Sequence, residues 1–136
     1  LRISYFPDCA SKIKDRFEEM RHEINPSLIF THYLSDRHQD HRVLSELTWN
    51  TFRNHAVLEY EIPKFDGDLA HPGVFCQLQP ETVDLKIKAL MDSYPSQRDH
   101  QWFDQDLFRG LMRIRGIECN SPTRFAEAFH ARKLAL

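Results

Sequence analysis

Apolar positions along the chain alternate between helical and strand spacing. Ile13, Phe17, Met20 and Ile24 recur at spacings of four, three and four, which draws one stripe along a helix over residues 8–25. Asp8 stands where a cap would, and Asn25-Pro26 stops the run. Ahead of it, Leu1-Arg2-Ile3-Ser4-Tyr5-Phe6 reads as a strand, and residues 27–32 are short, apolar and rich enough in β-branched and aromatic side chains to be a buried one. Helical spacing returns over 41–54 through Val43, Leu44, Leu47 and Phe52, followed by a strand over 57–62. Residues 63–72, with Asp66-Gly67-Asp68 and two prolines, form a loop, and 74–78 is a further strand that ends at Pro80. Two helices follow, over 81–92 (Val83, Ile87, Leu90, Met91) and 100–117 (Phe103, Leu107, Leu111, Ile114), the second ended with help from Gly116. Residues 124–130 carry two signals, since Phe125, Glu127 and Phe129 alternate as in a strand while Ala126, Glu127 and Ala128 favour a helix, and the strand is the reading taken. Strands and helices in this order predict an α/β fold with a mostly parallel sheet and helices on its faces.

Size and charge narrow the picture. A chain of 136 residues, 41% hydrophobic and 28% charged, suits one globular domain. A net charge of -2 gives no basic field for nucleic acid or an anionic membrane. The longest apolar runs, such as Leu28-Ile29-Phe30, fall far short of the roughly 20 residues that a membrane span needs. Cys9, Cys76 and Cys119 are odd in number and widely spaced, which reads as reduced thiols of a cytoplasmic protein, packed as small buried hydrophobes. Neither a Gly-x-Gly-x-x-Gly run nor a Gly-Lys-Ser/Thr phosphate cradle is present, and no serine lies in a nucleophile elbow.

The densest chemistry is Asp36-Arg37-His38-Gln39-Asp40-His41, in the loop that leaves the 27–32 strand and enters the next helix. Open α/β sheets keep their ligands at the C-terminal ends of their strands. Two uses are open from the residues alone. Asp40 caps the helix and the histidines are solvated, or His41, fixed by the helix, binds a metal while His38, three residues earlier, handles a proton. In the second case Asp36 and Asp40 orient the rings through their remaining N–H groups. His71, His100 and His130 take surface or structural roles.

With Thr31-His32 ahead of it, this signature resembles the PIG-L or LmbE-like family of zinc-dependent N-deacetylases, whose second motif is an acidic residue followed by His-x-Asp-His. Three further stretches are similar to the family in order: Ile24-Asn25-Pro26-Ser27-Leu28-Ile29-Phe30, Tyr94-Pro95-Ser96-Gln97 after Lys88-Ala89-Leu90, and Phe125-Ala126-Glu127-Ala128-Phe129. The resemblance implies a Rossmann-like sheet, with His41 as a Zn2+ ligand. It makes His38 the imidazole that polarises the scissile amide or protonates the leaving amine, Asp40 the residue that orients a histidine, and Asp36 part of the substrate-binding wall. The family's first motif, His-Pro-Asp-Asp, is absent, and the chain reads as the portion that follows it, with a partial zinc site of its own.

The activity so implied is hydrolysis of an N-acetyl or other N-acyl group on an amino sugar or sugar conjugate, a small-molecule substrate. Phe65-Asp66-Gly67-Asp68 and residues 98–102 carry polar and aromatic groups of the kind a sugar would meet, or are ordinary solvated loops with Trp102 in the core. The competing expectation is a non-catalytic α/β module that binds a partner and uses the 36–41 loop only as a helix cap, or an inactive fragment without a complete metal site.

Overall fold

The computed structural model describes Arg2 and residues 4–133. Its elements, in chain order, are α1 (Ala10–Glu23), β1 (Leu28–His32), α2 (Gln39–Thr51), β2 (Ala56–Tyr60), β3 (Val74–Gln77), α3 (Pro80–Ser93), α4 (Gln105–Glu118) and β4 (Ala126–Lys133). The chain is therefore α/β, as its patterning predicts. Of the predicted opening strand, Leu1 and Ile3 lie outside the described residues, while Ser4 and Phe6 are in turns and Ser4 has a φ of 68°. Asp8 does not cap α1. It sits inside a 3-10 turn, Pro7–Cys9, that leads into the helix.

The four strands form one sheet in the order β1-β2-β4-β3. β1 and β2 run parallel, paired from Leu28 with Ala56 to His32 with Tyr60, because a single helix, α2, carries the chain back to the starting end. β3 and β4 run antiparallel, with Val74 opposite Phe129 and Gln77 opposite Ala126. Two helices in succession separate them, which returns the chain to the end it left. The sheet is thus mixed, where the alternation of elements predicts a mostly parallel one.

The chain folds as two compact units. The first comprises the residues up to Glu61, Asp68–His71 and the residues from His130 on. Its apolar interior is Ile13 of α1, Phe52 after α2 and Val57 of β2, with the Phe17 and Phe52 rings 6.4 Å apart. The second unit comprises Ile62–Gly67 and Pro72–Phe129, and its core gathers Leu78, Val83, Ile87, Phe103, Phe108, Met112 and Phe125. Trp102 packs against this core.

α4 starts later than its apolar stripe suggests, because Asp104 Oδ1 accepts the N–H groups of Asp106 at 2.8 Å and Leu107 at 3.1 Å, a helix cap. Asn120, at φ 51°, ends it. The N–H of Asn120 reaches the carbonyl of Ile117 and that of Ser121 the carbonyl of Gly116, the paired bonds of a left-handed helix stop. Gly116 itself serves the packing of the chain rather than the helix end. A Cβ there would lie 2.2 Å from the carbonyl carbon of Arg124, so only glycine admits the returning chain. None of the three cysteines is buried, and Cys76 is exposed on β3, so they are free thiols rather than core residues. Among the described residues no helix is long and apolar enough to cross a membrane.

Candidate metal centre

β1 delivers His32 at its C-terminal end, and the chain then turns at once, with the N–H of Asp36 donating to the carbonyl of Tyr33 at 3.1 Å. Arg42 closes the loop from the helix side by donating from Nη1 to the carbonyls of Asp36 and Arg37. Asp68 Oδ2 accepts the N–H of Arg37 at 2.7 Å. The loop that carries the chemistry is thereby tied at both ends.

His38 is the cap of α2, and its Nδ1 accepts the N–H of Asp40 at 3.2 Å. A neutral His38 then carries its proton on Nε2. His41, in the first turn of α2, has the opposite arrangement: its Nδ1 lies 2.8 Å from Asp36 Oδ2, so it donates there and keeps a lone pair on Nε2. One imidazole offers a donor N–H and the other a ligand nitrogen. The two rings stack at 4.5 Å between centroids, and His41 also stacks on His32 at 4.0 Å and 8°. Tyr60 on β2 reaches His32 Nε2 with its hydroxyl at 3.2 Å.

Asp36 is 3% exposed and uses both oxygens, Oδ1 toward the N–H of His38 at 2.7 Å and Oδ2 toward His41. It thereby meets the backbone of His38 and the ring of His41, the arrangement in which a carboxylate fixes the orientation of an imidazole. Asp40 holds a histidine only with its backbone N–H. Its carboxylate, 4% exposed, turns the other way and accepts the N–H groups of Ser4 and, at 3.1 Å, Phe6.

His32, Asp36 and His41 form the group suited to a metal ion among the described residues, with one ligand atom of each within 4.8 Å of the others. Imidazole and carboxylate are donor types that zinc accepts, and with Asp36 Oδ2 bonded to His41 Nδ1 the direct donors of this group are the two imidazoles. His32 is the member that sequence patterning misses. The signal for it was an imidazole as the last residue of a strand running into an Asp/His-rich loop. Of the other histidines, His130 stacks on Tyr33 at 4.0 Å, His71 is exposed, and His100 is exposed and stacks on Trp102.

Solved structures with this fold include a hydratase and a deacetylase. GalB, the 4-carboxy-2-hydroxymuconate hydratase from Pseudomonas putida KT2440, superposes with a TM-score of 0.68 at 14% identity, over 93% of this chain and 60% of its own. A triple mutant of a deacetylase involved in the teicoplanin biosynthetic pathway superposes with a TM-score of 0.62 at 17% identity, over 94% of this chain and 60% of its own. The chain thus spans about three-fifths of the length of each structure. No family model matches the sequence, and no curated protein does.

Proposed function

We propose that this chain belongs to a zinc-dependent hydrolase that removes an N-acetyl or other N-acyl group from an amino sugar or sugar conjugate. The observation that carries this reading is the pair of complementary imidazoles over one buried carboxylate: His41 with Nε2 free to bind a metal, His38 with an Nε2–H to donate, and Asp36 bonded to both residues. The fold shared with a deacetylase supports it. His41 and His32 would hold the ion from this chain. Bound there, zinc supplies a Lewis acid that polarises a carbonyl and lowers the pKa of a water.

The residues of this chain then do three things. Asp36 fixes the tautomer and angle of His41 and anchors the backbone N–H of His38. Asp40 holds His38 through its own N–H, which keeps the ring's second nitrogen a donor. His38 Nε2–H stabilises the developing oxyanion or passes its proton to the departing amine nitrogen.

The full-length protein, purified without added metal, is expected to carry about one zinc per chain and to release acetate from an N-acetylated amino sugar. Absence of zinc together with absence of acetate release rejects the reading. The likeness to a hydratase favours a second possibility, addition of water to a carbon–carbon double bond of an unsaturated acid. An unsaturated dicarboxylic acid run in the same assay separates the two: loss of its ultraviolet absorbance without acetate release from the sugar selects hydration.

A further inference from the structure

Glu59 is a carboxylate in the interior, 3% exposed, on the strand next to β1. Three elements send donors to it. The N–H of Leu34, two residues before Asp36, donates to Oε2 at 3.1 Å. Ser45 Oγ, one helical turn beyond His41 on α2, donates to Oε1 at 3.4 Å. Arg132 Nε on β4 lies 3.4 Å from the same oxygen, and its guanidinium sits 4.8 Å over the ring of Trp49, again on α2. A buried carboxylate is costly unless such partners satisfy it. Two of these partners belong to the walls of the metal centre, Leu34 to the loop that ends in Asp36 and Ser45 to the helix that carries His41, and Arg132 joins them from β4.

We infer that Glu59 is a positioning residue of this centre, which sets the separation of Asp36 and His41 by holding the Leu34 N–H on one side and α2 on the other. This rests on the metal-centre reading above only for its effect on metal affinity. Its effect on the two imidazoles is independent of any ion. Leu34 occupies the second position of the Tyr33–Asp36 turn, where proline is favoured, so Leu34→Pro removes the donated N–H and keeps the turn. Glu59→Gln retains an oxygen for Leu34 and an amide for Ser45, and Glu59→Ala retains neither.

The test uses the full-length protein and two measurements: the ring-proton NMR signals of His38 and His41 without metal, and the affinity for Co2+ from its visible absorption. Glu59→Ala and Leu34→Pro are expected to move both histidines' signals and to weaken Co2+ about 10-fold or more, as loss of an outer-shell partner does. Glu59→Gln, which keeps the acceptor for Leu34 but leaves Arg132 without its counter-charge, is expected to fall between Glu59→Ala and the wild type. A general loss of stability would not single out these two rings in a folded sample. If Glu59→Ala does not fold, Leu34→Pro carries the test, since it leaves Glu59 and Arg132 in place. Unmoved His38 and His41 signals in folded Leu34→Pro overturn the inference. A wild-type protein that takes up no Co2+ instead overturns the metal-centre reading, while the ring signals still decide the role of Glu59.

Discussion

Thr31 of β1 and Thr48 of α2 meet hydroxyl to hydroxyl at 3.0 Å in the interior, one residue before His32 and two helical turns after His41. Thr48 Oγ1 donates to the carbonyl of Leu44 at 2.7 Å, so Thr31 is the donor between the pair. This contact sets the helix on the strand, and with it the stacking of His41 on His32. Either threonine replaced by valine leaves a hydroxyl or carbonyl with one partner fewer, and each single variant is expected to lose about 1–2 kcal/mol in urea unfolding. The double variant, apolar on both sides, is expected to recover most of that loss, since matched removal of both partners can be nearly neutral. Losses that simply add would show that the two hydroxyls do not cooperate.

His38→Ala and His41→Ala separate proton transfer from metal binding. His41→Ala is expected to abolish stoichiometric zinc. His38→Ala is expected to keep most of the zinc and to reduce kcat about 100-fold or more, the scale of a lost general acid or oxyanion donor. Zinc content and turnover that fall together in His38→Ala would reverse the two assignments.

Asp36→Asn keeps an oxygen for one N–H but removes the charge that holds the Nδ1–H of His41. Zinc affinity, measured by competition with a chromophoric chelator, is expected to fall about 10- to 100-fold, with the fold retained by circular dichroism.

Asp40→Ala tests a structural role. Its buried carboxylate accepts two backbone N–H groups from Ser4 and Phe6, and removing it is expected to cost about 1–3 kcal/mol. Limited proteolysis should then open first near residues 4–9. Zinc content is expected to stay at the wild-type level, because His38 and His41 keep their own partners.

Gly116→Ala is expected to be among the most damaging single-methyl changes in the chain. The new Cβ would lie 2.2 Å from backbone atoms of Arg124, which no side-chain rotation relieves, and a loss of about 3 kcal/mol or more follows from such overpacking. Asp104→Ala, which removes the cap of α4, is expected to cost only about 1 kcal/mol.

The β1–loop–α2 segment was legible because three local signals agree there: a short apolar strand, a polar break and a helical stripe. Element types elsewhere followed from periodicity for the same reason. What escaped was set by tertiary contacts. The antiparallel pairing of β3 with β4 follows from two helices packing between them, and apolar spacing carries no strand direction. Asp104 fixes the start of α4 by a side-chain bond, whereas the apolar stripe reaches back to Phe103, which packs in the core without being helical. Around the loop, His38 and His41 stood out by composition, whereas the grouping of His32 with Asp36 and His41 needed the geometry of a strand end. Glu59 left one trace, an acidic residue two positions after Val57 on the inward side of β2. That pattern marks a carboxylate with an unusual reason to be inside.

The sheet order also has a consequence for how the protein is made. A ribosome delivers β1, α2 and β2 early, yet the neighbour that β2 needs on its other side, β4, leaves the exit tunnel only after both helices of the second unit. Arg132, the counter-charge of Glu59, arrives with it. Nascent chains stalled before residue 130 would therefore hold a strand with one open side and an interior carboxylate without its cation, a species that chaperones bind and that aggregates when they do not.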